Sequence, residues 1–203
     1  MNEEKTVRAA MVIIGSEILS GRTQDTNLNT LARGLNDVGI VLSEARIVSD
    51  APDAIVAALN ELRARYDYVF TTGGIGPTHD DITAQCVADA FEVPLILNPE
   101  ARALLQAHYD KSGRELNAAQ LRMAHTPQGA SLIANPVSTA PGFRIENVYV
   151  LAGVPVVMQA MLDGLKAGLT GGRRVLSRSV GSLIGEGIVA RDLAALQARY
   201  PAL

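Results

Sequence analysis

The chain has 203 residues, which suits one domain of ordinary size with a smaller appendage. Hydrophobic residues make up 48% and charged residues 19%, a composition that supports a packed core and argues against disorder. The formal net charge is −3 and no basic run is present, which argues against a nucleic-acid or anionic-membrane surface. Aromatic residues are only 4%, so a base-stacking platform is not expected.

The single cysteine, Cys86, excludes an intrachain disulfide framework and a cysteine metal cluster. The apolar stretch near the start of the chain is about eight residues long, too short to cross a bilayer. The acidic Glu3 and Glu4 do not suit a signal peptide. We therefore expect a cytoplasmic protein with no membrane or nucleic-acid partner.

The first half of the chain alternates strand and helix. Apolar runs predict strands at 9–14, 40–48 and 68–72. Apolar residues three and four positions apart predict a helix after each strand, with stripes at 28–38 and 55–62 and a third helix over 80–91. Gly39 ends the first helix, and Ser49 and Asp50 cap the second. This alternation predicts a parallel sheet covered by helices on both faces.

The second half is less regular. Helices are predicted over 99–111, around Leu121 and over 155–169, with a short strand at 131–134. Strands at 143–145 and 148–151 flank Glu146 and Asn147, a pattern typical of a hairpin. An antiparallel pair of this kind would make the sheet mixed.

Gly171 and Gly172 mark the best candidate for a boundary, dividing the chain into 1–170 and 171–203. The second part carries a strand pattern at 174–184 and a helix pattern at 187–200. One strand and one helix cannot bury both of their apolar faces alone. We expect this part either to pack on the main domain or to continue beyond Leu203 as a small following domain.

Three turns rich in small and polar residues follow predicted strands, at 15–17, 71–81 and 152–155. The carboxyl ends of parallel strands lie at one edge of a sheet, and that edge is where open α/β sheets bind ligands. The sequence therefore predicts that the three turns meet around one ligand.

The turn at 71–83, TTGGIGPTHDDIT, carries the strongest chemical signal. Glycines let the backbone adopt positive φ and approach a ligand, and threonines add hydroxyl donors; these residues are Gly73, Gly74, Gly76, Thr72 and Thr78. The start of the next helix suits a phosphate. Asp80 and Asp81 would repel that phosphate unless a divalent cation such as Mg²⁺ lies between. The alternative is a plain strand-to-helix turn whose carboxylates complement the helix dipole.

Known phosphate motifs do not account for this turn. It lacks the Gly-Lys-Ser/Thr of a nucleoside-triphosphate loop and the third glycine of the dinucleotide fingerprint. The histidines His79, His108 and His125 are not spaced as zinc ligands on a helix.

Other candidate ligand residues lie outside that turn. Glu17 is either a metal or hydroxyl ligand or a solvated turn carboxylate. Asn27 is either a helix cap or a residue facing the pocket. Ser138 and Thr139 could bind a phosphate or sugar, or belong to an ordinary surface loop.

Segment 73–83, GGIGPTHDDIT, resembles the GGxGPTxDDxT motif of the molybdopterin-binding fold, shared by MoaB, MogA and the competence/damage-inducible protein A (CinA) family. The proline and paired aspartates resemble the CinA branch. Three further segments agree with that branch in order: 15–27, 135–143 and 151–155. Ser16, Ser138 and Ala152 depart from its pattern by small changes in loops.

The resemblance implies a three-layer α/β/α sandwich with a mixed, mainly parallel sheet. It implies a homo-oligomer, a dimer rather than a trimer, and a nucleotide or pterin phosphate as ligand. Mg²⁺ or another divalent cation is the implied cofactor, and K⁺ is a further candidate. Long CinA proteins carry a C-terminal deamidase domain that this chain is too short to contain.

Three functions remain open. The leading hypothesis is a metal-dependent hydrolase of a nucleotide pyrophosphate such as ADP-ribose. In this hypothesis Gly73, Gly74 and Gly76 bind phosphate, and Asp80 and Asp81 hold the metal. Glu17 assists as a base or as a ligand. The rest of the nucleotide contacts Ser138, Thr139 and Gly142. The alternatives are binding or adenylylation of molybdopterin, and a non-catalytic nucleotide- or pterin-binding module.

Overall fold

The computed structural model describes residues 6–174, 176, 178 and 180–200. The strands are β1 (Val7–Ile14), β2 (Ile40–Val48), β3 (Tyr68–Thr72), β4 (Leu95–Leu97), β5 (His125–Pro127), β6 (Ser131–Ile133), β7 (Gly142–Ile145) and β8 (Val148–Leu151). The helices are α1 (Ser16–Leu19), α2 (Asn27–Asp37), α3 (Pro52–Arg65), α4 (Thr83–Ala90), α5 (Pro99–Lys111), α6 (Ala118–Leu121), α7 (Pro155–Leu165) and α8 (Glu186–Arg199). Short 3-10 turns, Arg122–Ala124 and Lys166–Gly168, follow α6 and α7.

Six strands form one sheet in the order β2-β1-β3-β8-β7-β6. The first four are parallel, whereas β7 pairs antiparallel with both β8 and β6. Helices cover both faces, so the predicted α/β fold with a mixed, mainly parallel sheet is confirmed. A separate antiparallel pair, β4 and β5, was not predicted, because each strand is only three residues long.

Strand β1 explains why the sheet buries both of its faces. Ala10, Val12 and Ile14 pack on the layer of α3 and α4, and the alternate residues 9, 11 and 13 pack on the layer of α2 and α7. A strand covered on both sides is a continuous apolar run rather than an alternating one, which is the pattern the sequence shows. Cys86 lies in the first layer, where burial raises the pKa of its thiol to about 11.

The start of α4 differs from the prediction. The helix begins at Thr83, not Asp80, so Asp80 and Asp81 lie in the preceding turn. Thr78 bends that turn, because its amide N–H donates to Asp81 Oδ2 over 2.7 Å. The two aspartates therefore stand in the loop and are not part of the first helical turn.

The predicted cap of α3 by Ser49 and Asp50 is also wrong. The N-cap residue is Ala51, with no side-chain cap. The Asp50 carboxylate instead accepts the Ser16 amide N–H over 2.7 Å, because Ser16 begins the short helix α1 beside it. That helix was itself missed, since four residues are too few to show a period.

The end of the chain agrees with the prediction only in part. No described residue within 174–184 is in a strand, and residues 175, 177 and 179 of that segment lie outside the described ones. Helix α8 forms, but none of its residues is buried. The division into 1–170 and 171–203 stays a prediction. Among the described residues, no helix is long and apolar enough to cross a membrane.

We expect Leu59→Ala to lower the free energy of unfolding by about 2–5 kcal/mol, because Leu59 is fully buried between α3 and the sheet. Urea unfolding would measure the loss. Leu104→Ala is the matched control, since Leu104 on α5 is 42% exposed. Equal losses in the two variants would contradict the placement of this layer.

Candidate functional site

A cavity of about 480 Å³ opens at the carboxyl ends of the parallel strands. The three predicted turns reach it: Glu17 follows β1, Gly73 follows β3, and Gly153 follows β8. The loop before β7 closes another side with Ser138. The structure thus brings together most of the predicted site residues, namely Glu17, Gly73, Gly74, Gly76, Asp80, Asp81 and Ser138.

The glycine turn after β3 has the positive-φ backbone that its sequence indicates. Gly73 and Gly74 have φ of 101° and 68°, in the left-handed region. A Cβ on Gly73 would collide with the carbonyl oxygen of Ile14, and one on Gly74 would collide with the Thr83 hydroxyl. Within the described part of the chain, no protein acceptor takes the amide N–H of Gly74, Ile75 or Gly76. These residues line the cavity, so their donors are available to an anion.

Thr78 organises the two aspartates. Its hydroxyl lies 2.6 Å from Asp81 Oδ2 and 2.5 Å from Asp80 Oδ1. The two carboxylate oxygens are therefore no more than about 5 Å apart, on either side of a hydroxyl that has one proton to donate. The hydrogen bond from Thr78 lowers the pKa of Asp80, with smaller effects from a backbone hydrogen bond and from His79. Asp80 is accordingly ionised at neutral pH.

Asp50 is a site residue that the sequence reasoning missed. It is the second residue after β2, and it lines the same cavity as Glu17 and Asp81. Residues 15–17 were selected because they follow a predicted strand, and the same argument applies to Asp50. The nearby Pro52 instead favoured the interpretation of Asp50 as a helix cap.

Asn135, also missed, shapes the loop that carries Ser138. It is buried, and its Nδ2 donates to Ser138 Oγ over 2.6 Å and to the Ala140 carbonyl over 2.8 Å. Its Oδ1 accepts the backbone N–H of Val137 and of Ser138. The signal available in the sequence was an asparagine at the start of the Pro-rich loop 135–143.

Asn27 and Thr72 face a different, smaller cavity of about 130 Å³, which shares Glu17 and Gly73 with the first. Asn27 Nδ2 donates to the Gly153 carbonyl over 2.7 Å, so the orientation of the amide is fixed. Asn27 Oδ1 and Thr72 Oγ1 are buried, and neither has a partner within the described residues. Buried polar atoms are normally paired, so these two oxygens next to the small cavity are an exception within the described chain.

Three further predicted site residues, Thr78, Thr139 and Gly142, line neither of these two cavities. Thr78 acts on the two aspartates as described. The Thr139 hydroxyl lies 3.0 Å from His108 Nδ1 and does not line the cavity. Gly142 is buried in β7, where a Cβ would collide with the carbonyl oxygen of Val150, so packing explains the glycine.

The charge of the cavity limits what it can bind. Four carboxylates line it, those of Glu17, Asp50, Asp80 and Asp81, and the described lining contains no Lys, Arg or His. A phosphate would be repelled here unless a cation accompanied it. In the described chain, no group of three His, Cys, Asp or Glu side chains is arranged to hold a metal by itself. One or two carboxylates plus substrate phosphates suffice for Mg²⁺, so the residues fit a cation that arrives with its ligand.

Comparison with known proteins shows the family to which this chain belongs. A family model described as "Probable molybdopterin binding domain" matches residues 10–170. A protein of Caldivirga maquilingensis is 41% identical over 161 residues, which are 77% of this chain and 63% of that protein. A CinA-like protein of Geobacter metallireducens is 40% identical over 161 residues, which are 77% of this chain and 39% of the relative. The chain therefore matches less than two thirds of these relatives' length.

Solved structures agree. The protein CinA from Thermoplasma acidophilum superposes with a TM-score of 0.74 at 32% identity, covering 81% of this chain and 99% of that one. The molybdopterin biosynthesis enzyme MoaB from Thermus thermophilus superposes with a TM-score of 0.53 at 18% identity, covering 80% of this chain and 91% of that one. A likeness at this identity shows the fold alone. The chain belongs to the molybdopterin-binding domain family and, within it, to the CinA-like proteins.

We expect Thr78→Val to raise the pKa of Asp80 toward its ordinary value, because the hydroxyl hydrogen bond is the main cause of the lowered pKa. An NMR titration of the Asp80 carboxyl would measure the change. Thr78→Ser keeps the hydroxyl and should keep the pKa low. A pKa that is the same in all three proteins would contradict this assignment.

Proposed function

We propose that this chain is a metal-dependent hydrolase of a nucleotide pyrophosphate such as ADP-ribose. The observation that carries the proposal is the composition of one cavity, whose described lining combines residues 74–76, with no protein acceptor for their backbone N–H groups, and four carboxylates without a basic side chain. Such a site suits a phosphate only together with a divalent cation, which is the usual partnership in phosphoryl transfer.

Each group has a definite task in this proposal. The amide N–H groups of residues 74–76 donate to phosphate oxygens. Asp80 and Asp81 would hold the cation, and Thr78 keeps their carboxylates in place. When bound, the cation would offset phosphate charge and lower the pKa of an attacking water.

The reaction itself needs a base and a leaving group. The Glu17 carboxylate accepts the proton of water while the water oxygen forms a bond to a phosphorus of the pyrophosphate. The bridging P–O bond breaks, and the products from ADP-ribose are AMP and ribose 5-phosphate. Asp50 faces the same cavity and adds a further carboxylate near the cation.

We expect Asp81→Asn to lower the turnover of ADP-ribose with Mg²⁺ by about two orders of magnitude or more, because the amide cannot replace a charged metal ligand. A coupled assay for released AMP would measure it, with circular dichroism to verify the fold. Asp110→Asn is the control, since Asp110 is exposed at the end of α5 and lines neither cavity. Equal turnover in the wild type and in Asp81→Asn would contradict this mechanism.

A second candidate is binding or adenylylation of molybdopterin, and the small cavity favours it. Asn27 Oδ1, Thr72 Oγ1 and the carboxylate of Glu17 offer acceptors in a space shared with the phosphate cavity. The amino-pyrimidinone edge of a pterin carries N–H donors that match such acceptors. Its phosphate would use the same glycine turn.

Equilibrium binding separates these two functions. If the pterin is the ligand, Thr72→Val should weaken molybdopterin about five- to tenfold, since one buried hydrogen bond is lost, and should leave ADP-ribose unaffected. Affinity for molybdopterin without hydrolysis of ADP-ribose would favour the second candidate. Retained binding with no turnover over a nucleotide panel would instead indicate a non-catalytic binding module.

A further inference from the structure

Thr139 has an unusual backbone conformation for its residue type. Its φ is 68°, in the left-handed region, where a β-branched side chain is a rare outlier. The other described non-glycine residues with positive φ, Glu92 and Glu146, are not β-branched. Such strain persists only where the surrounding contacts hold it, and it is often found near functional sites. Thr139 comes directly after Ser138, which lines the acidic cavity at the carboxyl ends of the strands.

Most of the hydrogen bonds that hold this turn are internal to the loop 135–140. The Thr139 amide N–H donates to the Asn135 carbonyl over 3.1 Å, and the buried Asn135 side chain bonds to both sides of the turn. Within the described chain, one hydrogen bond reaches the loop from another element. It joins the Thr139 hydroxyl to His108 Nδ1 on α5 over 3.0 Å. Helix α5 therefore supplies the external support of the strained residue.

The surroundings of His108 restrain its ring. The imidazole is half-buried, and it stands edge-on to the ring of Tyr109 with 5.5 Å between the ring centroids. A hydroxyl can both donate and accept, so either neutral tautomer of the imidazole keeps a hydrogen bond to Thr139. Ala140 also packs against the small apolar cluster of α5 that contains Leu105. The loop is thus anchored on α5 by one polar and one apolar contact.

Ser138 is the cavity residue that this anchor places. Its hydroxyl accepts a hydrogen bond from Asn135 Nδ2 over 2.6 Å. Within the described residues no acceptor takes the proton of that hydroxyl, so the proton can be donated to an oxygen of a ligand in the acidic cavity. A donor that is already held in place binds more tightly than one on a loose loop, because less conformational freedom is lost on binding.

We propose that His108 is a positioning residue of the acidic cavity: through the hydroxyl of Thr139 it holds the Ser138 hydroxyl where it donates to a phosphate oxygen of the ligand. The inference rests on the proposed function, which supplies the phosphate. His108 itself lines neither the acidic cavity nor the smaller one, so its effect on the ligand must pass through the loop. A role confined to folding would leave the contribution of Ser138 to binding unchanged.

Amide hydrogen exchange tests the anchor without any ligand. His108→Phe keeps a ring beside Tyr109 and removes the hydrogen bond, so the Thr139 amide should exchange about tenfold faster than in the wild type. His108→Asn places an amide near the position of Nδ1 and should restore most of the protection. Gln106→Phe, on the exposed face of α5, is the matched control and should change nothing. Unchanged exchange in His108→Phe overturns the proposal, and so does an equal loss of protection in His108→Asn.

A double-mutant cycle tests whether the effect passes through Ser138. The probe is the analogue of ADP-ribose with a methylene group in place of the bridging oxygen, bound with Mg²⁺ and measured by calorimetry on the full chain. We expect His108→Phe and Ser138→Ala each to weaken its binding about five- to tenfold. Because both remove the same contact, the double variant should bind no more weakly than Ser138→Ala alone. Additive losses overturn the proposal, since His108 then acts elsewhere.

The outcomes separate this inference from the hydrolase. If the losses are not additive but the wild type does not hydrolyse ADP-ribose, the positioning role stands and the proposed reaction fails. If the wild type hydrolyses ADP-ribose and the losses add, or His108→Phe binds the analogue as the wild type does, the reaction stands and the positioning role is refuted. A wild type that does not bind the analogue in the presence of Mg²⁺ refutes both.

Discussion

Thr83 makes the contacts on which the site depends. Its amide N–H and hydroxyl each donate over 2.9 Å, to the carbonyls of Gly74 and Gly73 respectively. These bonds tie the turn after β3 to the first residue of α4 and hold two glycines at positive φ. Residues 74–76 line the cavity, and the aspartates before Thr83 stay outside the helix. A side chain at either glycine would break this arrangement.

The second constraint is electrostatic. A cavity with four carboxylates and, in its described lining, no cation of its own cannot accept a phosphate by itself. Thr78 lowers the pKa of Asp80, so this carboxylate keeps its negative charge to more acidic pH than an ordinary aspartate. Under the proposed function, the carboxylates and the backbone N–H groups would each supply part of a binding site. A cation and a phosphate would then complete each other in this cavity, which would distinguish it from a plain strand-to-helix turn.

Much of the architecture was predictable because local patterns determine it. Strand β2 begins and ends at the predicted residues 40 and 48, and Leu59 lies on the predicted buried stripe of α3. The start of α4 could not be read from periodicity, because a side-chain hydrogen bond from the loop decides it. Asp50 was missed for a related reason. Its hydrogen-bond partner Ser16 is distant in sequence, and no local pattern predicts the hydrogen bond between them.

The sequence by itself determined the helix layers on both faces of the sheet, most of the strands and helices apart from α1, β4 and β5, and the glycine turn after β3 that lines the cavity. Composition and spacing suffice for this, since burial period and turn residues act over a few positions. Only the tertiary structure decided which polar side chains share one cavity. Asp50 lies in the acidic cavity, Asn27 and Thr72 line a smaller cavity, and Gly142 is buried in a strand. These placements follow from the packing of helices on the sheet, because that packing sets the distances between residues far apart in the chain.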